Sequence, residues 1–115
     1  MSLYMEGWIE VKGITSWHGI IKIDSHVFPL LNRQVYRFYE IGEHGRPSDL
    51  SEELSENWSQ YYQNPAFVLW SKAELVDTQN MEAHEDDWRW KLKEMVEVLK
   101  SYYIPDEIRP VFWMM

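Results

Sequence analysis

The amino-acid sequence predicts an α+β fold, a two-layer sandwich in which helices pack on one face of a sheet. We expect about four antiparallel or mixed strands and about three to four helices. Two observations lead to this class: strand-like alternation occurs near both ends of the chain, and helical periodicity occurs between them. The 115 residues contain no repeat and no linker-like stretch, so we expect one domain over residues 1–115. Residues 1–3 are interpreted as a cloning remnant.

Two strands are predicted near the N-terminus, joined as a hairpin. Apolar and charged residues alternate from Met5 to Lys12, which is the pattern of a strand with one solvated face. Trp8 interrupts this pattern because it is an apolar residue on the polar face. Gly13 marks a turn, and residues 17–23 (WHGIIKI) then predict the second strand.

Two helices are predicted in the middle of the chain. Pro29 suits a first helical turn, and the apolar residues that follow at helical spacing predict a helix over residues 28–40. Asp49, with Glu52 in the position of a capping box, predicts the start of the second helix. The Asn-Pro pair at residues 64–65 is expected to end that helix.

The second half of the chain predicts two further strands and two further helices. Residues 66–70 (AFVLW) predict a buried strand, and a capping box predicts a short helix over residues 72–77. The longest helix is predicted near the C-terminus, over residues 81–103, with acids at its start and cations later, as the helix macrodipole favours. Residues 108–114 (IRPVFWM) predict a closing strand. Because Pro110 lacks an N–H, we expect an edge strand, or one paired on only one side there.

Composition excludes several classes of partner and site. The chain has 11 basic and 19 acidic residues, a net charge of −8 and no local basic patch, so we expect neither nucleic acid nor a membrane as partner. Without cysteine it has no disulfide, thiolate metal site or cysteine nucleophile. No stretch has the character of a signal peptide or a membrane span. We expect a cytoplasmic protein without a cofactor.

Two groups of residues are candidates for a metal or catalytic site. His18, Asp24 and His26 share parity at strand spacing, which could bring a carboxylate to an imidazole. The alternative is that Asp24 makes the turn into the first helix. His84 begins the polar run HEDD, which could hold a divalent cation or could be a solvated helix start. Because no nucleophile elbow, phosphate loop or HExxH motif accompanies them, we favour a protein that is not an enzyme.

Aromatic and acidic residues supply the candidate partner surface. Aromatic residues make up 16% of the chain, more than a domain of this size is expected to hide completely. Trp8, Trp90 and Trp113 are predicted to contact a partner, because tryptophan is favoured at binding hot spots. The alternative places Trp8 against a helix and Trp113 in the core. The acidic run between residues 40 and 56 either meets a basic partner or is a solvated face, and its predicted helical members are Glu52, Glu53 and Glu56.

Four segments of the chain resemble a group of small bacterial and phage-associated proteins that have no established function. These segments are YMEGWIEV and WHGIIKID near the start, AFVLWSKAEL in the middle and IRPVFWM at the end. In that group a strand of the type I-R-x-V-F-W-F-D closes the domain, and Met114 and Met115 depart from this pattern. The resemblance implies no activity, and no functional residue is carried over from it.

Three functions are compatible with these residues. The first is a non-enzymatic acidic domain that binds a basic protein partner, as immunity proteins and phage-encoded inhibitors do. The second is a small metal- or ligand-binding domain or enzyme that uses His18, Asp24, His26 or His84. The third is a structural homodimer built on exposed aromatic residues and the final strand. We favour the first because the other two lack a specific residue signature.

Overall fold

The computed structural model describes residues 5–24, 29–75 and 92–115. Its strands are β1 (Met5–Lys12), β2 (Trp17–Asp24), β3 (Glu43–His44), β4 (Gln63–Phe67) and β5 (Ile108–Met114). Its helices are α1 (Pro29–Ile41), α2 (Glu52–Glu56), α3 (Trp70–Ala73) and α4 (Leu92–Glu97). The five strands form one antiparallel sheet in the order β2-β1-β5-β4-β3. The α+β prediction is confirmed, with five strands in place of about four.

β1 and β2 form the hairpin that the alternating sequence predicts. Their register shifts between Ile9 and Glu10, which pair with Ile21 and Gly19, so Ile20 is an extra residue in β2. Such a β-bulge reverses side-chain parity along the strand that contains it. β2 also forms one edge of the sheet, where a bulge hinders pairing with another chain.

β5 lies in the middle of the sheet, between β1 and β4, so the prediction of an edge strand is wrong. Pro110 pairs with Ile9 of β1. On the other side the ladder ends where Phe67 pairs with Val111, and the Val68 N–H donates to the Pro110 oxygen over 3.2 Å. A strand residue directs its N–H and C=O to the same side, so the missing proline donor faces the place where β4 has ended. The alternative prediction, that Pro110 is paired in the ladder on only one side, therefore agrees with the structure. Because β5 has a strand on each side, it cannot pair with the same strand of a second copy.

One face of the sheet carries the larger core, which we call the first core. Ile9 and Val11 of β1 and Phe112 of β5 belong to it, together with buried residues of α1, α3 and α4. The Phe38 ring of α1 lies 5.5 Å from the Trp70 ring of α3, measured between ring centroids. Large aromatic and aliphatic side chains of this kind supply most of the apolar area that a core buries. The buried residues contributed by the helices and their flanks are Val35, Phe38, Tyr39, Trp70, Ala73, Leu92, Met95, Val96 and Leu99.

The opposite face carries a second core, which α2 and the segment after it cover. Val111 and Trp113 alternate with Phe112 along β5 and therefore point to this side. Leu54 of α2 packs on them and is buried. The prediction that the helices pack on one face of a two-layer sandwich is thus wrong for α2. The partly buried members of the second core are Trp8, Leu50, Trp58, Tyr62, Phe67 and Met115.

The start and the end of α2 differ from the prediction. Ser51, not Asp49, caps the helix, because the Ser51 hydroxyl accepts the Leu54 N–H over 3.3 Å. The Asn-Pro pair lies within β4 instead of ending a helix. Asn64 has a positive φ of 47°, and the register between β4 and β5 shifts between Gln63 and Ala66. The turn-forming asparagine therefore makes an irregularity inside a strand.

β4 and α3 both begin earlier than predicted. β4 ends at Phe67, and Trp70, predicted as the last residue of that strand, is instead the first residue of α3. Trp70 is buried in the first core, so its apolar character reflects helix packing. A short apolar run does not by itself distinguish a buried strand from a buried helix.

The helix predicted over residues 81–103 falls partly on residues 81–91, which lie outside the described residues. The remainder of the predicted helix forms α4 and a 3-10 turn at Leu99–Ser101. The helical structure therefore ends before residue 103, the predicted end. Among the described residues the longest helix is α1, with 13 residues, and not the C-terminal helix that was predicted to be the longest. In the described ranges no helix is both long enough and apolar enough to cross a bilayer.

We predict that Gly7→Ala destabilises the fold. A Cβ at Gly7 would meet the Val111 carbonyl oxygen and lie 3.0 Å from the Phe112 ring, so β1 and β5 would have to move apart. Overpacking of this kind lowers the free energy of unfolding by about 1–3 kcal/mol, which urea denaturation measures. Lys12→Ala, at an exposed position of the same strand, is the control. Equal effects of the two substitutions would contradict the prediction.

Candidate functional site

A buried ion pair joins β1 to β5, the central strand of the sheet. Glu10 of β1 and Arg109 of β5 are directly opposite each other, and both side chains are buried. The Arg109 Nε donates to Glu10 Oε1 over 2.6 Å. The other carboxylate oxygen, Oε2, accepts the Ser51 N–H over 2.8 Å. Both oxygens of this carboxylate are therefore bonded, which a buried charge requires.

Asp49 holds the remainder of the Arg109 guanidinium. Nη1 donates to Asp49 Oδ1 over 2.7 Å, and Nη2 donates to the Asp49 backbone oxygen over 3.1 Å. The Trp17 ring centroid lies 4.1 Å from the guanidinium carbon, and the Trp17 indole N–H donates to Asp49 Oδ2 over 3.0 Å. An aromatic face stabilises a guanidinium that has lost its water. We call Glu10, Arg109, Asp49 and Trp17 the buried clamp.

The clamp presents a fixed negative charge at its outer end. The hydrogen bond from Arg109 lowers the pKa of the Asp49 carboxyl below its ordinary value of 3.8, partial burial opposes this shift, and the Arg109 charge and the Trp17 indole lower it further. The Asp49 side chain is nevertheless 63% exposed. Asp49 is therefore both an anchored residue and a surface charge.

The geometry of the clamp suits positioning of the backbone and not turnover of a substrate. Every nitrogen of the buried Arg109 guanidinium already donates within the protein. Glu10 holds the Ser51 N–H, and Ser51 caps α2 at Leu54, so this segment is fixed to the sheet. Sequence patterns did not reveal the clamp, because Glu10 occupies a position typical of a solvated face and Arg109 is 99 positions away. The sequence contained one indication of the ion pair, namely an acid in one predicted strand and an arginine in another.

Four exposed carboxylates lie on the segment that the clamp fixes. They are Asp49, Glu52, Glu53 and Glu56, and we call them the acidic surface. The Glu53 Oε1 lies 3.5 Å from Nδ1 of the exposed His18 of β2. Hydrogen bonds from its own backbone N–H and from the Gly19 N–H, with a smaller contribution from His18, lower the pKa of the Glu53 carboxyl. The three glutamates predicted to meet a partner are thus exposed together on one short helix.

An aromatic group follows α2 in the chain and rests on the second core. The Tyr62 ring stacks on the Trp113 ring with centroids 4.3 Å apart, and the Trp58 ring meets Trp113 edge-on at 5.4 Å. The Arg46 guanidinium carbon lies 5.0 Å from the Trp58 ring centroid. The Arg46 Nη2 donates to Ser55 Oγ over 3.0 Å. These contacts connect the second core to the exposed helix α2.

The tryptophans predicted to contact a partner lie in different environments. Trp113 is 1% exposed, so its ring is not available at the surface of this fold. The structure agrees with the alternative that places Trp113 in the core, and its indole N–H has no hydrogen-bond partner in the described part of the chain. Trp8 is half-buried against the second core. Trp90 lies outside the described residues.

Of the four residues predicted to bind a metal, His18 and Asp24 lie within the described ranges, both on β2. His18 and Asp24 pair with Val11 and Glu6, which have opposite parity on β1, because the extra residue Ile20 lies between them. The shared parity on which this prediction depended is therefore lost. Among the residues that the structure describes, no three His, Asp or Glu side chains are grouped to hold a metal ion. The two other candidates, His26 and His84, lie outside the described residues.

A small pocket lies beside β4 and α3. Its volume is about 160 Å³, and its lining is mainly apolar, with Glu43 and Lys72 as charged members. Pockets that enclose drug-sized ligands have volumes of roughly 300–1,000 Å³. The pocket is too small for such a ligand, so we do not assign a function to it.

No family model, curated protein or solved structure matches this chain. The resemblance to small bacterial and phage-associated proteins therefore stays a prediction.

We predict that the clamp residues depend on one another for stability. Arg109→Met leaves the buried Glu10 carboxylate without its cation, which should lower the free energy of unfolding by about 3–5 kcal/mol. Adding Glu10→Gln removes the uncompensated charge and keeps an oxygen for the Ser51 N–H, so the double variant should recover part of the loss. Urea denaturation of the wild type, Arg109→Met, Glu10→Gln alone and the double variant measures this coupling. A double variant no more stable than Arg109→Met would contradict the prediction.

The pKa of Asp49 predicts an acid-dependent loss of stability. Because the folded-state pKa lies below the ordinary value of 3.8, the ionised carboxylate stabilises the fold above that pH, and this contribution disappears as the pH falls through the folded-state pKa. The difference in unfolding free energy between wild type and Asp49→Asn should therefore be constant near neutral pH and shrink in acid. Denaturant titrations over a pH series measure it, with the exposed Asp106→Asn as control. A difference that stays the same at every pH would exclude this role.

Proposed function

We propose that this chain is a non-enzymatic protein-binding domain whose acidic surface docks a basic protein partner, as an inhibitor or immunity protein does. The observation that carries the proposal is the placement of Asp49, Glu52, Glu53 and Glu56, all exposed within one fixed segment. A surface of one charge attracts a partner of the opposite charge and orients it during approach.

The buried clamp supports a binding role over a role in solubility alone. Acids that serve only solubility need no fixed geometry. Here the Asp49 carboxylate is bonded to Arg109, and the first turn of α2 is tied to Glu10 through the Ser51 N–H. A partner that meets charges already in position loses less conformational entropy on binding.

The local balance of charge also supports the proposal. Arg46 is the only lysine or arginine between residues 38 and 71, a stretch that contains the whole acidic surface. Its guanidinium rests on the Trp58 ring and bonds to the Ser55 hydroxyl, both of which are neutral groups. The four carboxylates of the acidic surface therefore keep a negative potential that a basic partner would neutralise.

The two other hypotheses remain predictions. A metal-binding, ligand-binding or catalytic role depends partly on His26 and His84, which lie outside the described residues. A homodimer would have to use a surface other than β5, which has a strand on each side.

We predict that Glu52→Gln with Glu56→Gln weakens capture of the partner. The immobilised protein would be exposed to lysate of its source organism at low and moderate salt, and the retained proteins identified by mass spectrometry. A basic protein should be retained at low salt and released as salt rises, because exposed charges act through screened electrostatics. Because the double variant loses two exposed ion pairs with this retained protein, its affinity for that protein should be lower by about two- to thirtyfold.

Glu40→Gln with Asp106→Asn is the matched control, since it also removes two exposed carboxylates but none from the acidic surface. Glu40 lies on α1, which packs against the first core. Retention that is unaffected by salt, or that falls equally in both double variants, would count against the acidic surface as the docking site.

A further inference from the structure

Arg46 is held by an aromatic ring and a hydroxyl, both close to the acidic surface. Its guanidinium carbon lies 5.0 Å from the Trp58 ring centroid, and its Nη2 donates to Ser55 Oγ over 3.0 Å. Ser55 belongs to α2, the helix that also carries Glu52 and Glu56. A guanidinium is thus already bonded to the helix that carries these exposed carboxylates.

We infer that Trp58 and Ser55 form a seat for an arginine side chain of the basic partner, and that Arg46 occupies this seat in the free protein. We call Trp58 and Ser55 the arginine seat. The inference rests on the proposed function, because the seat would receive the partner only as part of the acidic surface. Arg46 then acts as an internal competitor, which the partner has to displace.

The chemistry of the seat favours arginine over lysine. A planar guanidinium stacks on an aromatic face while its N–H groups reach an acceptor, and Arg46 makes both contacts. A lysine ammonium is a compact, strongly hydrated charge and gains less from such a site. The carboxylates of the acidic surface attract both cations, so the seat is the part that distinguishes them.

Two features make the seat suitable for exchange. The Trp58 ring meets the rings of Trp113 and Tyr62 edge-on, with centroids 5.4 Å and 5.1 Å away, so its orientation does not depend on Arg46 alone. Arg46 itself is exposed and bonded to a neutral oxygen, and such contacts are weak. An incoming arginine can therefore replace Arg46 without rearranging the second core.

The test compares a short arginine peptide with a lysine peptide of equal length and charge, using isothermal titration calorimetry. Arg46→Gln removes the competitor. Lys72→Gln is the matched control, because it removes one exposed positive charge from α3, which packs on the other face of the sheet. Relative to Lys72→Gln, Arg46→Gln should tighten binding of the arginine peptide by about two- to fivefold, the size of an exposed cation–π contact. The lysine peptide should gain less, because losing the Arg46 charge strengthens the attraction for either cation, whereas the vacated seat favours only arginine.

A second variant separates the seat from net charge. Adding Ser55→Ala to Arg46→Gln removes the acceptor oxygen without changing charge, and should reduce the gain for the arginine peptide. Equal gains for both peptides would overturn the arginine seat while still supporting the acidic surface. If neither peptide binds to any variant, the seat and the proposed function are both wrong. Thermal melting of each variant verifies that it is folded.

Discussion

The buried ion pair between Glu10 and Arg109 determines where the loop before α2 lies on the sheet. A buried charge is strongly destabilising unless its whole bonding capacity is satisfied. Neither strand can complete these bonds, so Glu10 reaches the Ser51 N–H and Arg109 reaches Asp49. These bonds bring the loop before α2 across the sheet and begin the helix where Leu54 packs into the second core. The position of α2 is therefore a consequence of a charge pair in the sheet.

Burial on both faces of the sheet accounts for the aromatic composition. Along β5, Phe112 enters the first core while Trp113 enters the second. Among the described residues one short helix covers the second core, and the rings of Trp58 and Tyr62 supply much of the remaining cover. Gly19 lets α2 approach closely, since a Cβ there would lie 2.6 Å from Leu54 Cδ1. Aromatic residues that looked surplus for a one-sided sheet are needed for a two-sided one.

Local sequence patterns predicted the individual strands better than they predicted which strands pair with one another. The ends of β1 and β5 agree with the prediction because alternation and flanking breakers are local features of the sequence. The central position of β5 and the bulge at Ile20 depend on which strands pair, and periodicity within one strand does not contain that information. For the candidate site, the glutamates of α2 were predictable from composition and helical position. The clamp was not, because it requires a contact between Glu10 and Arg109 across 99 positions.

Two arginines near α2 illustrate how burial decides the role of a charge. Arg109 has lost its water and is bonded to Glu10 and Asp49, so moving it would leave buried charges uncompensated. Arg46 has kept its exposure and rests on neutral groups, so its contacts can be exchanged at small cost. An apolar pair in place of Glu10 and Arg109 could hold the strands together equally well. It would not fix Asp49 or the start of α2, so the ion pair inside the sheet is what gives the exposed carboxylates a defined arrangement.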